Sequence, residues 1–135
     1  MLPLDYSGRW RLAGLLLLLA ILLAAILPSI LLPSRLSINA WFGLDKWLHA
    51  LVFAFLAVWF AGQYRRGSYW RIALGLAAFG ILIELLQSTI TYRSAEWYDF
   101  IADLVGIAIG LLIALAGMGG WSLSVERWLK ARSAA

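Results

Sequence analysis

One carboxylate, Glu84, lies within the apolar run 72–86 of this sequence, where its charge needs an explanation. An ionisable group near the centre of a membrane-spanning helix costs roughly 2.5–3.5 kcal/mol on insertion scales. Other polar side chains should therefore hydrogen-bond to it or share its charge. The residues that could do so are Asp45, His49, Gln87, Asp99 and Asp103.

The spacing of these residues places them on one face of each of three helices. Asp45 and His49 are four residues apart, as are Asp99 and Asp103, and residues at that interval share a helix face. At 1.5 Å per residue, the second member of each pair lies ~6 Å deeper than the first, and Glu84 lies ~12 Å from the end of its helix. All three polar stripes descend from the same side. We expect them to face one another and to form a polar pocket open to the extracytoplasmic side.

Three functions fit such a pocket. In the first, it binds the head group of an amphiphile while the acyl chain stays in the bilayer. In the second, Glu84 or His49 is the general base of a membrane transferase or hydrolase, and an aspartate of the last stripe is the acid or a metal ligand. In the third, Glu84 and Gln87 belong to an interhelical hydrogen-bond network that only fixes the helices.

Several other kinds of chemistry are not expected. One imidazole with carboxylates would suit a divalent ion, but these residues are dispersed along the sequence, so we predict no metal and no cofactor. The chain has no cysteine, which excludes disulfides and thiolate metal sites. It also has no Walker loop, dinucleotide fingerprint or serine-nucleophile motif.

Two basic residues could bind the anionic part of a ligand. Arg93 directly follows the helix of Glu84, and its guanidinium could pair with Asp99, Asp103, a phosphate or a carboxylate. The alternative is that Arg93 only anchors the helix end at the membrane interface. Lys46 is the second candidate.

The composition predicts an integral membrane protein. Of the 135 residues, 64% are hydrophobic and 13% are charged, and the mean hydropathy is +0.88, which is more apolar than a soluble domain of this size. The formal net charge of +4 comes from Lys and Arg at the ends of apolar segments, as membrane topology requires. We therefore expect no nucleic-acid partner.

We predict an all-α fold in which residues 1–135 form a single membrane domain. Four segments are long and apolar enough to be predicted as transmembrane helices, at about 10–32, 47–63, 70–92 and 99–119. Residues 122–132 are predicted to form a short interfacial helix, because Val125, Trp128 and Leu129 share one face. A frayed basic tail is the alternative.

Charge and glycine spacing add predictions about topology and helix packing. Eight of the eleven Lys and Arg residues fall on one side of a four-helix arrangement, which predicts that both termini are cytoplasmic. Gly106 and Gly110 form a GxxxG step, and small residues at this interval let two helix backbones approach closely. We expect this packing within the chain, and a homodimer through the same face is also open.

The order of the polar residues resembles a known family. The chain has D-K-x-x-H-x-x-x-F at 45–53, E-x-x-Q at 84–87, Arg-Ser at 93–94 and D-x-x-x-D-x-x-G-x-x-x-G at 99–110. Together these are similar to the motifs of the VanZ-like family. That family usually has Asn where this chain has Asp103. The additional carboxyl either pairs with Arg93 or His49 or leaves one carboxyl of the site protonated.

The resemblance implies a small multi-pass protein of the bacterial inner membrane. The family takes its name from a protein linked to low-level resistance to the glycopeptide teicoplanin, and the resemblance implies no particular reaction, cofactor or substrate. We therefore expect a protein that binds or modulates an envelope lipid or lipid-linked precursor, and whether it is an enzyme stays open. The predicted binding residues are Asp45, Lys46, His49, Glu84, Gln87, Arg93, Ser94, Asp99 and Asp103.

Overall fold

The computed structural model describes residues 1–31, 44–90 and 97–133. Within these ranges the chain is helical and has no strand, which confirms the all-α prediction. The helices in chain order are α1 (Ser7–Leu31), α2 (Leu44–Ala61), α3 (Tyr69–Ile90), α4 (Trp97–Ile113) and α5 (Trp121–Ser133). A 3-10 turn, Arg66–Ser68, precedes α3, and a π-helical turn, Ala114–Met118, extends α4.

Three stretches are long and apolar enough to cross a membrane: Ser7–Ile26 in α1, Arg66–Thr89 in α3 and Trp97–Met118 in α4. The apolar part of α2, Lys46–Ala61, is shorter, so the fourth span stays a prediction. Large apolar side chains cover the outer surface, for example Leu12, Leu15, Leu16 and Leu19 along α1. Because lipid is the only solvent that favours such a surface, these helices define a membrane protein.

The centre of the bundle is α2, which packs most closely against α4. A Cβ atom added to Gly106 would clash with the carbonyl oxygen of Ala50, and one added to Gly110 would clash with that of Ala54. Only glycine lets the two backbones approach this closely. The contact fixes the position of α4 beside the first turns of α2, next to His49.

The chain reverses direction between α4 and α5 at two glycines. Gly117 has a φ of 144° and Gly120 a φ of 76°, and both lie in the region that side chains with a Cβ rarely adopt. After the reversal, α5 returns to the end of α2. There the backbone N–H of Gly120 donates to Ala61 O at 3.2 Å, and Trp121 Nε1 donates to Val58 O at 3.1 Å.

The predicted C-terminal helix is therefore present, with one face docked on the rest of the molecule. Ser122 and Glu126, four residues apart, are buried on that face, and the hydroxyl of Ser122 donates to Gly62 O. Trp128 and Leu129 remain exposed. The exposed surface of the helix therefore combines the apolar Trp128 and Leu129 with the basic Arg127 and Lys130, and its position in the membrane interface stays a prediction.

Candidate functional site

Three helices bring a histidine and two carboxylates together at one end of the bundle. His49 lies near the start of α2, Glu84 in the last third of α3, and Asp99 in the first turn of α4. A potential ligand atom from each of the three lies within 4.8 Å of the other two. Asp99 is buried, and the other two are half-buried. Residues separated by up to fifty positions in sequence thus share one small volume.

Asp103 lies one helical turn beyond Asp99 and holds the imidazole. Its Oδ1 is 2.9 Å from Nδ1 of His49, and the side chain is 1% exposed. Its Oδ2 is buried and has no hydrogen-bond partner among the residues that the structure describes. A buried carboxylate that accepts from Nδ1–H fixes both the orientation and the tautomer of the ring.

Gly80 makes room for this carboxylate, and sequence reasoning missed it. A Cβ atom at Gly80 would lie 2.6 Å from Oδ2 of Asp103 and 3.4 Å from the ring of Phe53. The position is one helical turn before Glu84, on the same face of α3. The signal in the sequence was this small residue four positions from an intramembrane carboxylate.

The remaining predicted site residues have different surroundings. Nζ of Lys46 lies 4.8 Å from the ring centroid of Tyr98, close to the start of α4. The side-chain amide of Gln87 donates to Ala25 O at 3.0 Å, so it ties α3 to α1. The predictions for the side chain of Asp45 and for Arg93 and Ser94 lie outside the described part of the structure.

A second buried polar cluster lies near the opposite end of α2, and sequence reasoning missed it as well. The carboxylate of Glu126 accepts hydrogen bonds from the backbone N–H groups of Asp5 and Tyr6, at 2.9 and 3.0 Å. It also accepts one from Nε1 of Trp10, at 2.8 Å. These donors surround the start of α1, so the carboxylate caps that helix from another element. No local pattern links residue 126 to residues 5–10.

Two cavities also lie near this second end. One of about 320 Å³ is bordered by Tyr64, Arg66, Tyr69 and Arg127. The other, of about 330 Å³, is a mainly apolar groove bordered by Phe60, Arg71, Leu76 and Phe79. Neither is lined by the residues around His49, so the predicted extracytoplasmic pocket stays a hypothesis.

The arrangement defines a class: a small helical membrane protein with a partly buried cluster of titratable groups contributed by three helices. Comparison with protein families identifies it further. The VanZ/LLP1 family model matches residues 19–118, which cover α2 to α4 and most of α1, and the chain belongs to this family. A search of curated proteins and a search of solved structures each gave no match.

Proposed function

We propose that this protein binds the head group of an envelope lipid or lipid-linked precursor at the cluster around His49. The observation that carries the proposal is the convergence of His49, Glu84 and Asp99 within 4.8 Å. In a membrane, ionisable groups that face the interior of a helix bundle mark ligand sites or ion pathways. A head group is polar and lies at the depth where α2 and α4 begin.

The proposed membrane topology follows from the distribution of the basic residues. All four long helices cross a bacterial inner membrane, with both termini in the cytoplasm and the cluster near the extracytoplasmic side. Eight basic residues at the other end support this orientation. Lipid-linked precursors of the cell wall reach the extracytoplasmic side, and the link between the family's name and teicoplanin resistance makes them the first candidates.

Among the site residues that the structure describes, carboxylates outnumber basic side chains. The anionic part of a head group therefore needs a positively charged partner. Lys46 and Arg93 are the basic residues nearest to it along the chain. Binding would then combine an ion pair at these residues with hydrogen bonds to the carboxyls and the imidazole.

The test is melting of the purified protein in detergent with added undecaprenyl phosphate, undecaprenyl pyrophosphate or phosphatidylglycerol. We expect a polyprenyl phosphate to raise the melting temperature, because a ligand that binds only the folded state stabilises it. Arg93→Ala should weaken the shift, and Arg132→Ala, a basic residue in α5, should not. A melting temperature independent of every lipid, or an unaltered shift in Arg93→Ala, contradicts the proposal.

Enzymatic activity is the second candidate, and the hydrogen bond between His49 and Asp103 favours it. A histidine oriented by a buried carboxylate is a common general base. If the protein is a transferase or hydrolase, Glu84→Gln and His49→Ala should each abolish the cellular phenotype of the wild-type gene. A phenotype that survives both substitutions eliminates this candidate.

A further inference from the structure

The cluster around His49 contains the donor set of a metal site. It provides one imidazole and two carboxylates from three different helices, within 4.8 Å of one another. In a tetrahedral Zn²⁺ site with bonds of about 2.0–2.2 Å, any two ligand atoms are about 3.4 Å apart. Small side-chain rotations would therefore bring the three ligand atoms to bonding distance. The sequence prediction of no metal rested on dispersed residues, which the fold brings together.

Asp103 provides an observation independent of those ligands. By accepting from Nδ1 of His49 at 2.9 Å, it leaves Nε2 as the nitrogen that a cation would use. Metal-bound histidines commonly donate their other N–H to a carboxylate, which raises the basicity of the ligand. Asp103 is fully buried. Its carboxylate is in the position of the partner expected behind a metal-bound imidazole.

The negative charges of the two carboxylates also favour a cation at this site. Glu84 and Asp99 bring two carboxylates close together, and neighbouring like charges repel each other. A divalent ion would neutralise both. Asp103 would still pair with the imidazole, so that each carboxylate of the cluster has a defined role.

From these contacts we propose that His49, Glu84 and Asp99 bind a divalent transition-metal ion, with Asp103 as the positioning residue for His49. A mixed nitrogen and oxygen donor set suits Zn²⁺ or Mn²⁺, whereas Mg²⁺ and Ca²⁺ prefer oxygen alone. Three protein ligands leave at least one coordination position open. The inference deepens the proposed function, on whose site it rests, because an open position could accept a phosphate oxygen of the head group.

The test uses the full chain without an affinity tag, stripped with chelator in detergent and loaded with Zn²⁺ or Mn²⁺ in the absence of lipid. Elemental analysis should find one ion per chain. Because the chain has one histidine, coupling of bound Mn²⁺ to an imidazole nitrogen in pulsed paramagnetic resonance would identify His49 without any substitution. Failure of both ions to bind, or Mn²⁺ bound without nitrogen coupling, overturns the inference.

Substitutions separate the roles. Asp103→Asn should weaken the affinity about 10–100-fold, and Glu84→Gln and Asp99→Asn should each weaken it more than about 100-fold. Asp5→Asn removes a carboxylate far from the cluster and should leave the affinity unchanged. Variants are compared at equal helicity by circular dichroism. Unchanged affinity in both Glu84→Gln and Asp99→Asn also overturns the inference.

The two proposals fail differently. Lipid-dependent melting in chelator-stripped protein that binds neither ion keeps the head-group proposal and refutes the metal. An ion bound at His49, together with a melting temperature that does not respond to lipid, keeps the metal site and refutes the head-group proposal.

Discussion

Two polar clusters lie near opposite ends of α2, and they differ in what surrounds their carboxylates. Glu126 accepts from two backbone N–H groups and an indole, so donors surround a single acceptor. Around His49, by contrast, Glu84, Asp99 and Asp103 are acceptors grouped about one imidazole. The first arrangement is complete within the protein. In the second, Oδ2 of Asp103 has no hydrogen-bond partner among the residues that the structure describes, and a proton, a cation or a ligand could supply one.

The difference shows how to tell a structural carboxylate from a functional one in an apolar protein. Burial alone does not distinguish them, because Glu126, Asp99 and Asp103 are all buried. The donors that each carboxylate meets do: Glu126 accepts from three donors, whereas Oδ2 of Asp103 meets none among the described residues. Folding stability is favoured when each buried acceptor meets a donor, so a buried acceptor without one has another reason to persist.

The largest expected effect comes from breaking the complete cluster. Glu126→Ala leaves three donors without an acceptor at the start of α1, and we expect it to lower the free energy of unfolding by about 3 kcal/mol. Denaturant unfolding followed by circular dichroism measures the loss. Zn²⁺ affinity should stay unchanged, because the His49 cluster lies at the other end of α2. A loss below about 0.5 kcal/mol would show that the contacts around Glu126 are not structural.

A substitution between α2 and α4 should damage the other cluster instead. In Gly106→Ala the new methyl group would meet the carbonyl of Ala50, and relief requires the helices to separate, at a cost of about 1–3 kcal/mol. Separation also moves Asp103 away from His49, so Zn²⁺ affinity should fall together with stability.

Gly75→Ala is the matched control for this substitution. Gly75 also lies inside a helix, but a Cβ atom there would meet nothing within 4 Å. We expect it to be neutral or stabilising by up to about 1 kcal/mol, since Ala is the better helix former. Equal losses for both glycines would mean that close packing of α2 and α4 does not determine the geometry of the site.

The same chemical change should have effects of different size in the two clusters. Glu126→Gln places an amide opposite three donors and should lower the melting temperature. Glu84→Gln reduces the repulsion between neighbouring carboxylates, so in the metal-free protein it should lower the melting temperature less than Glu126→Gln does. If Glu84→Gln destabilises as much as Glu126→Gln, the cluster around His49 is a structural network, which was the third function considered from the sequence.

Helical periodicity predicted much of this molecule, because the residues concerned are linked through one helix. The spacing of Asp99 to Asp103 placed both on one face, and the apolar runs gave α1, α3 and α4 to within a few residues. The start of α2, like that of α1, was predicted three residues too late: it begins at Leu44, not 47. The polar Asp45 and Lys46 hid its first turn, since capping residues resemble loop residues in sequence.

Contacts between distant elements could not be predicted in this way. The capping of α1 by Glu126 joins residues about 120 positions apart, and it depends on the chain reversal at Gly117 and Gly120. Nothing in the local pattern of α5 distinguishes a docked helix from a free interfacial one, because Trp128 and Leu129 are apolar in both. The donor that a buried carboxylate meets is a property of the tertiary fold.

The smallest expected effect concerns an exposed ion pair beside Glu126, which provides a scale for the buried clusters. Nζ of Lys130 lies 2.7 Å from Oδ2 of Asp5, and both side chains are 55% exposed. The hydrogen bond and the charge of Lys130 lower the pKa of Asp5 below its usual 3.8. The same two effects from Asp5 raise the pKa of Lys130 above its usual 10.5.

The signs set the pH window of this pair. Because the pKa of Asp5 is lower in the folded than in the unfolded state, its charge stabilises the fold at pH values above the unfolded-state pKa. This contribution is lost as the pH falls through the folded-state pKa, so it should disappear below about pH 4. Because the pKa of Lys130 is raised on folding, its charge stabilises the fold below about pH 10.5. This contribution is lost as the pH rises further. Between these limits the contribution should be constant and small, because water and salt screen exposed charges. Melting of the wild type and Asp5→Asn at pH 7, in low and high salt, measures it. A deficit in Asp5→Asn as large as that of Glu126→Gln would mean that charge, and not donor satisfaction, holds α5 against α1.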